Sequence, residues 1–328
     1  MEAESRRPER ILVTGGGGFI GSNLVERLVA DGHDVRVLDS FITGRRENLE
    51  HLRGHVDLVD GDVRNFDQAL AAARDRDVVF HQAALPSVPR SIADPLASNA
   101  ANVVGTLNIL LAARDSGTRR VLVASSSSVY GATEELPKSE QLPTVPLSPY
   151  AVGKLAAEGY SRSFYRVYGL ETVTLRYFNV FGPKQDPGSE YAAAVPKFIE
   201  AALQGRPVTI HGDGEQSRDF TYVENVVQAN VLGMYSPAES LGEVYNVAYG
   251  ERVSLNLLLA EIGRIVGRDV LVAHGPPRAG DVRHSLADIS RAAASLGYQP
   301  QVDLEEGLRR TVRSLERANH ASRPGPKG

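Results

Sequence analysis

The sequence predicts an α/β fold: a doubly wound parallel sheet with a smaller mixed α/β lobe beside it. Three observations carry that expectation. Short apolar runs alternate with longer amphipathic segments up to about Asn179. A glycine cluster separates the first apolar run from the first helix, and beyond Asn179 the alternation loosens into Pro- and Gly-rich stretches.

The elements read in order. Arg10–Thr14 is a strand and Phe19–Asp31 a helix, followed by strands at Asp34–Leu38, Val56–Asp60 and Val78–His81. A helix over Ala93–Ser116 leads to a strand at Arg120–Ala124, and a helix over Pro149–Tyr168 to one at Thr172–Arg176. Phe181–Glu190 reads as a loop, Val195–Leu203 as a helix, Val208–His211 as extended and His211–Ser217 as a turn. Glu224–Tyr235 (helix) and Glu243–Ala248 (strand) read as the chain returning to the first lobe. Helices at Leu255–Val266 and Asp288–Leu296 follow, and the last residues read as a polar tail.

Composition narrows the function. A net charge of −4 and a pI near 6.1 argue against a nucleic-acid surface. With no cysteine there is no disulfide, thiolate metal site or thiol chemistry, and the scattered histidines suggest no metal centre. The charged N-terminus lacks a secretory signal pattern and no run reads as a membrane span, so a cytoplasmic protein with no membrane partner is expected.

Thr14–Ser22 reads TGGGGFIGS, placing Gly15, Gly18 and Gly21 at the spacing GxxGxxG between strand and helix. A sharp turn there presents helix N–H groups to a pyrophosphate, and a Cβ would block the approach. Asp39, ending the second strand, suits ribose hydroxyls and repels a 2′-phosphate, which favours NAD over NADP. Asp62 and Val63, in GDV after the third strand, fit an adenine.

Ser125–Ser128 follow the fifth strand, and Tyr150 and Lys154 form YxxxK on one face of the next helix. A tyrosine is a poor base unless its pKa is lowered, and a nearby ammonium and a cationic nicotinamide would both lower it. A serine at the strand end can hold the hydroxyl whose proton is removed.

Taken with HQAA at 81–84, NVVGTLN at 102–108, SSSSVYG at 125–131, SPYAVGK at 148–154, LRYFNVFGP at 175–183, SRDFTYV at 217–223 and AGDVRHSLADIS at 279–290, the chain resembles the extended short-chain dehydrogenase/reductase family. The likeness lies in its nucleotide-sugar epimerase and dehydratase branch, and closest to the bacterial UDP-N-acetylglucosamine 4-epimerases. It implies a Rossmann-type NAD-binding domain over 1–182 and about 221–251, a nucleotide-sugar-binding lobe over about 183–220 and 252–316, and a tail over 317–328. It makes Ser126, Tyr150 and Lys154 catalytic. To NAD it assigns Gly15, Gly18, Phe19, Ile20, Asp39, Thr43, Gly44, Asp62, Val63, Gln82, Ala83, Ala84, Asn102, Ser125 and Tyr177, with Tyr150 and Lys154. To the sugar nucleotide it assigns Ser87, Ser126, Ser127, Ser128, Tyr150, Asn179, Val195, His211, Arg218, Arg278, Asp281 and Ser285.

The implied reaction inverts C4 of a UDP-hexose through a transient 4-keto sugar. Similar dehydratases carry an Asp–Glu pair, and decarboxylating relatives a Glu, where this chain has Ser127 and Ser128. A hydroxyl cannot replace those acids, so elimination and decarboxylation are not expected. UDP-glucose-restricted relatives place a tyrosine at Ser285, so the small residue implies room for a C2 acetamido group. The resemblance also implies a homodimer through the helices around 93–116 and 149–168. Two departures are Ser40, where the family often has Asn, and Pro86, near a phosphate-reaching lysine of glucose-specific relatives. UDP-glucose and UDP-glucuronate 4-epimerases and a non-catalytic NAD-binding scaffold are the alternatives.

Overall fold

The computed structural model describes residues 7–188, 193–276 and 282–321. The chain begins β1 (Arg10–Thr14), α1 (Phe19–Ala30), β2 (Asp34–Asp39), β3 (Val56–Asp60), α2 (Phe66–Ala73) and β4 (Val78–His81). Then come α3 (Val88–Ala93), α4 (Pro95–Asn99), a π-helical turn at Ala100–Val104, α5 (Gly105–Asp115), β5 (Arg120–Ser126), α6 (Pro149–Tyr168), β6 (Glu171–Tyr177) and β7 (Val180–Phe181). The remainder is α7 (Ala194–Gln204), β8 (Val208–His211), β9 (Ser217–Arg218), β10 (Thr221–Tyr222), α8 (Val223–Met234), β11 (Glu243–Val247), β12 (Val253–Ser254), α9 (Leu255–Val266), β13 (Val272–Gly275), α10 (Ser290–Leu296) and α11 (Leu304–Ala321).

Seven strands pair in parallel in the order β11-β6-β5-β4-β1-β2-β3. The order reverses between β1 and β4, which opens a crevice at the carboxyl ends of those strands. Both faces are covered, so central strands are apolar throughout rather than alternating. Ile11 and Val13 pack with Leu24, Leu28, Val226 and Met234 on one face. Leu12, Val79 and Val121 pack with Ala69, Ile109, Leu110 and Ala157 on the other. A separate core of Phe198, Ile199, Leu258, Ile262, Leu308 and Val312 forms the second lobe.

The structure corrects two expectations, at the helix over 93–116 and at the tail. The helix over 93–116 is broken at Asp94, whose side chain caps α4 by accepting from the Ala97 N–H, and it then passes through the π turn. Pro95–Asp115 is long and apolar enough to cross a membrane, although half of its most apolar window is buried in the protein. The tail expected from residue 317 is instead occupied by α11 up to Ala321. Charged i,i+4 pairs such as Glu305–Arg309 and Glu306–Arg310 cover the outside of that helix and mask its apolar stripe, which includes Leu308 and Val312.

Candidate functional site: a cleft at the strand reversal

A cavity of about 1240 Å³ runs across the carboxyl ends of the strands, from Gly61–Val63 past Gly15–Gly21 to Ser126–Ser128, Tyr150 and Ser285. Its shape begins with the glycines. Gly15 has φ +70°, and a Cβ there would stand 2.7 Å from the backbone of Ala83. At Gly21 a Cβ would stand 2.1 Å from the Gly15 carbonyl oxygen. Gly18 is the N-cap of α1, so the free N–H groups of its first turn point into the cleft, as a pyrophosphate requires.

Asp39 is buried, and burial pushes its carboxyl above the usual range, opposed by N–H bonds from Phe41 and Gly17. Those bonds are 2.7 and 2.8 Å, one to each oxygen, which leaves lone pairs for ribose hydroxyls. Asp62 is held below the carboxylate range by its bonds to Arg64. Thr14 Oγ1 accepts from the Ala83 N–H and contacts His81 Nδ1 at 2.8 Å, while His81 Nε2 lies 2.9 Å from Thr106 Oγ1. Burial, aided by the charge of Lys154, pushes His81 down to about 3, so the ring is neutral.

Gln82, Tyr177 and Asn230 form a buried triangle: Gln82 Nε2 is 3.0 Å from Tyr177 Oη and 3.1 Å from Asn230 Oδ1. Burial pushes the Tyr177 phenol up to about 12, so it stays protonated.

The serines and the tyrosine meet opposite the glycine turn. Ser148 caps α6 by accepting from the Ala151 N–H, and Pro149 starts the helix, so Tyr150 sits in its first turn. Ser126 faces the Tyr150 hydroxyl closely enough to favour its ionised form. Lys154 Nζ donates to the Ala124 carbonyl at 2.8 Å and lies 5.9 Å from the Tyr150 ring centre. Burial pushes Lys154 down to about 8, opposed by Glu158. Burial also raises Tyr150, and Ser126 only partly offsets that. In the protein alone, therefore, desolvation outweighs the ammonium that was expected to make the phenol acidic. Ser128 Oγ is buried without a partner, an open hydrogen-bonding position on the wall.

On the far side, Arg218 and Ser285 are brought together by backbone pairing: the Ser285 N–H donates to the Ser217 carbonyl at 3.0 Å. Asp219 secures this corner by accepting N–H bonds from Tyr249, Gly250 and Ala287. Burial pushes its carboxyl up to about 6. Residues 183–186 cross from this lobe to the first. Asn23 Nδ2 donates to the Pro183 carbonyl, Lys184 pairs with Glu26 and donates to the Asn48 carbonyl, and Asp186 pairs with Arg45.

Most of the sequence-assigned residues lie on the cavity wall, but three do not. Asn102 sits in the π turn, where its amide accepts from the Leu85 N–H (2.8 Å) and donates to the Leu85 carbonyl (3.0 Å). Val195 is buried in the second lobe's core, and His211 faces Pro276 at the end of β8. The Ser125 hydroxyl is turned to Glu158. Arg278 and Asp281 lie outside the described residues. The wall also includes Arg45, Arg90, Lys138 and Gln185, which sequence reasoning did not single out. Strained backbone marks the same neighbourhood, with positive φ at Phe41, Ser87, Asn179 and Lys184.

A parallel sheet reversing at a glycine turn, with a serine, tyrosine and lysine converging beyond it, is the arrangement of dinucleotide-dependent enzymes that act on a substrate hydroxyl. The comparisons agree. Residues 11–248 match the NAD dependent epimerase/dehydratase family, and the chain belongs to it. The UDP-glucose 4-epimerase of Mycolicibacterium smegmatis is 43% identical over 311 residues, covering 92% of this chain and 97% of that protein. A solved UDP-N-acetylglucosamine 4-epimerase from Methanobrevibacter ruminantium, in complex with UDP-N-acetylmuramic acid, superposes with a TM-score of 0.91 at 41% identity, covering 95% and 100% of the two chains. The Thermus thermophilus UDP-glucose 4-epimerase, in complex with NAD, gives 0.86 at 38% identity over 94% and 99%. The protein is an enzyme of this family and its cofactor is NAD.

The close packing at the glycine turn makes a prediction. Gly21→Ala forces α1 away from β1 and should lower the NAD carried through purification by about tenfold or more, a cost of about 1.4 kcal/mol. Cofactor released from denatured protein measures it, and undiminished NAD would contradict the assignment of this turn.

Proposed function

We propose that the protein is a UDP-hexose 4-epimerase that interconverts UDP-GlcNAc and UDP-GalNAc, and also UDP-Glc and UDP-Gal. The observation that carries this reading is the Tyr150 hydroxyl, facing Ser126 across the cavity and backed by Lys154, on a wall whose next two side chains are the neutral hydroxyls of Ser127 and Ser128.

NAD, when bound, takes a hydride from C4 and gives it back, and its positive ring favours the ionised phenol. Ser126 holds the 4-hydroxyl while Tyr150 Oη removes its proton, and the same oxygen returns a proton after the 4-keto sugar has turned its other face. The Lys154 ammonium stabilises the phenolate. Ser127 and Ser128 supply hydrogen bonds but no acid or base strong enough for elimination. Arg218 and Asn179 grip the diphosphate, with Arg278 assigned to the same task and Asp281 to the sugar nucleotide.

Ser285 supports tolerance of a C2 acetamide, because its short side chain leaves space where a tyrosine would intrude. The M. ruminantium relative, an N-acetylglucosamine enzyme, supports the same reading. The M. smegmatis relative favours a second reading, a plain UDP-glucose 4-epimerase. We read the assembly as a homodimer, since Ile92, Leu96, Val152 and Val167 expose an apolar face along α3, α4 and α6.

Incubation with UDP-GlcNAc, UDP-Glc and UDP-GlcA, with epimers resolved by NMR, tests the substrate class. Tyr150→Phe should lose about 10²–10⁴-fold in kcat while keeping its fold and its NAD; full activity would sink the assignment. Ser285→Tyr should depress turnover of N-acetylated substrates about tenfold more than that of plain hexoses, and an equal loss on both would undo the steric argument. Light scattering should return twice the 35.4 kDa chain mass; a single-chain mass at micromolar concentration would remove the dimer.

A further inference from the structure

Tyr150 and Lys154 are followed, four residues later on the same face of α6, by Glu158. Its side chain is 6% exposed, and it is the one residue of this row that the chemistry above leaves unused. The carboxylate accepts three charge-reinforced or short bonds: from Ser125 Oγ at 2.5 Å, Arg176 Nε at 2.8 Å and Arg176 Nη2 at 2.7 Å. Arg176, equally buried, lies 4.7 Å over the ring of Tyr130, whose hydroxyl donates to Asn246 Oδ1 at 2.7 Å. Ser125 directly follows Ala124, whose carbonyl receives Lys154 Nζ. The carboxyl end of β5 is thus held by Glu158 through one residue and holds Lys154 through the next.

A buried ion pair is a poor way to stabilise a fold, since apolar residues of similar size often serve as well. Its place here is explained by what faces Lys154. On its own helix these groups are Tyr150 and Glu158. From β4 there is His81, which is neutral, and from β6 there are Tyr177, protonated and tied to Gln82 and Asn230, and Arg176, behind Glu158. β5 contributes the Ala124 carbonyl, which accepts from Lys154 Nζ. Glu158 is the one anion acting on Lys154 among the described residues. The Arg176 fork gives that carboxylate its counter-charge through two parallel bonds.

We propose that Glu158 is a positioning residue for the proton relay: its carboxylate stands one helical turn from Lys154 as the nearby counter-charge and, through Ser125, fixes the Ala124 carbonyl on which Lys154 hangs. This rests on the reading of Tyr150 and Lys154 given above. Arg176 serves the relay indirectly, as the group that holds the Glu158 carboxylate in place. Without the carboxylate, burial drives Lys154 towards the neutral amine, and the phenolate loses its counter-charge as pH rises.

The chain has only five lysines, so lysine labelled with ¹³C at Cε gives few enough signals to follow Lys154 directly in the NAD-loaded protein. Lys154→Arg assigns the resonance. Two variants are compared with the unaltered protein: Glu158→Gln, which is isosteric, and Glu158→Gln with Arg176→Met, which leaves no stranded charge to unfold the core. In either, the Lys154 midpoint should fall by about one pH unit, and the alkaline limb of the kcat profile should move down with it. Glu158→Asp, which keeps the charge, should restore most of both. A midpoint unchanged in the double variant, or a kcat lowered evenly at every pH, would make the pair merely structural and overturn the proposal. The midpoint is read without substrate. A shifted midpoint beside a fully active Tyr150→Phe enzyme would therefore sink the functional reading and leave the role of Glu158 standing.

Discussion

The space missing at Gly15 and Gly21 governs most of what this molecule can do. The end of β1, the start of α1 and the residue pair after β4 approach so closely that a single methyl group would collide with backbone. That crowding falls where the strand order reverses, between β1 and β4, which is where a parallel sheet opens a crevice. The helix N-terminus is therefore delivered to the same edge as the serines that end β5 and the tyrosine that begins α6. Distances across the cleft are set by backbone packing, and the side chains of the wall only refine them.

Three buried carboxylates beside or beneath the cleft are held in two different ways. Asp39 is held by two backbone N–H groups, Asp219 by three residues' N–H groups, and Glu158 by a guanidinium. Backbone dipoles suit the first two, which organise loops and must not bring a counter-ion with them. A full positive charge suits the third, whose carboxylate it holds in a two-pronged bond one helical turn from a lysine.

The local features were legible in the sequence. A glycine turn between an apolar strand and a helix, a serine run at a strand end and a tyrosine four residues before a lysine each fix geometry over a few residues. Burial and facing were not legible, because they depend on partners far along the chain. Asn102 could not be told from a wall residue until the π turn showed its amide spent on Leu85, 17 positions earlier. Val195 and His211 belong to motifs that pass near the cleft, but they point into the second lobe's core and at Pro276. Arg45 and Asp186 gave no signal because two exposed, opposite charges 141 positions apart in sequence carry no local pattern. Positive φ at Ser87 and Asn179, which are not glycines, is set by tertiary packing alone.

Residues 183–186 act as a seam between the two lobes, stitched at Asn23, Glu26, Asn48 and Arg45. Each stitch is a surface contact worth at most about 1 kcal/mol, but all of them must part together before the lobes can separate over the cleft. Contacts of this kind act more on how fast a bound group leaves than on how fast it arrives. A dinucleotide lying beneath that seam would leave no faster than the seam opens, so its exchange with the surroundings would be paced by a handful of surface contacts rather than by the chemistry at the tyrosine.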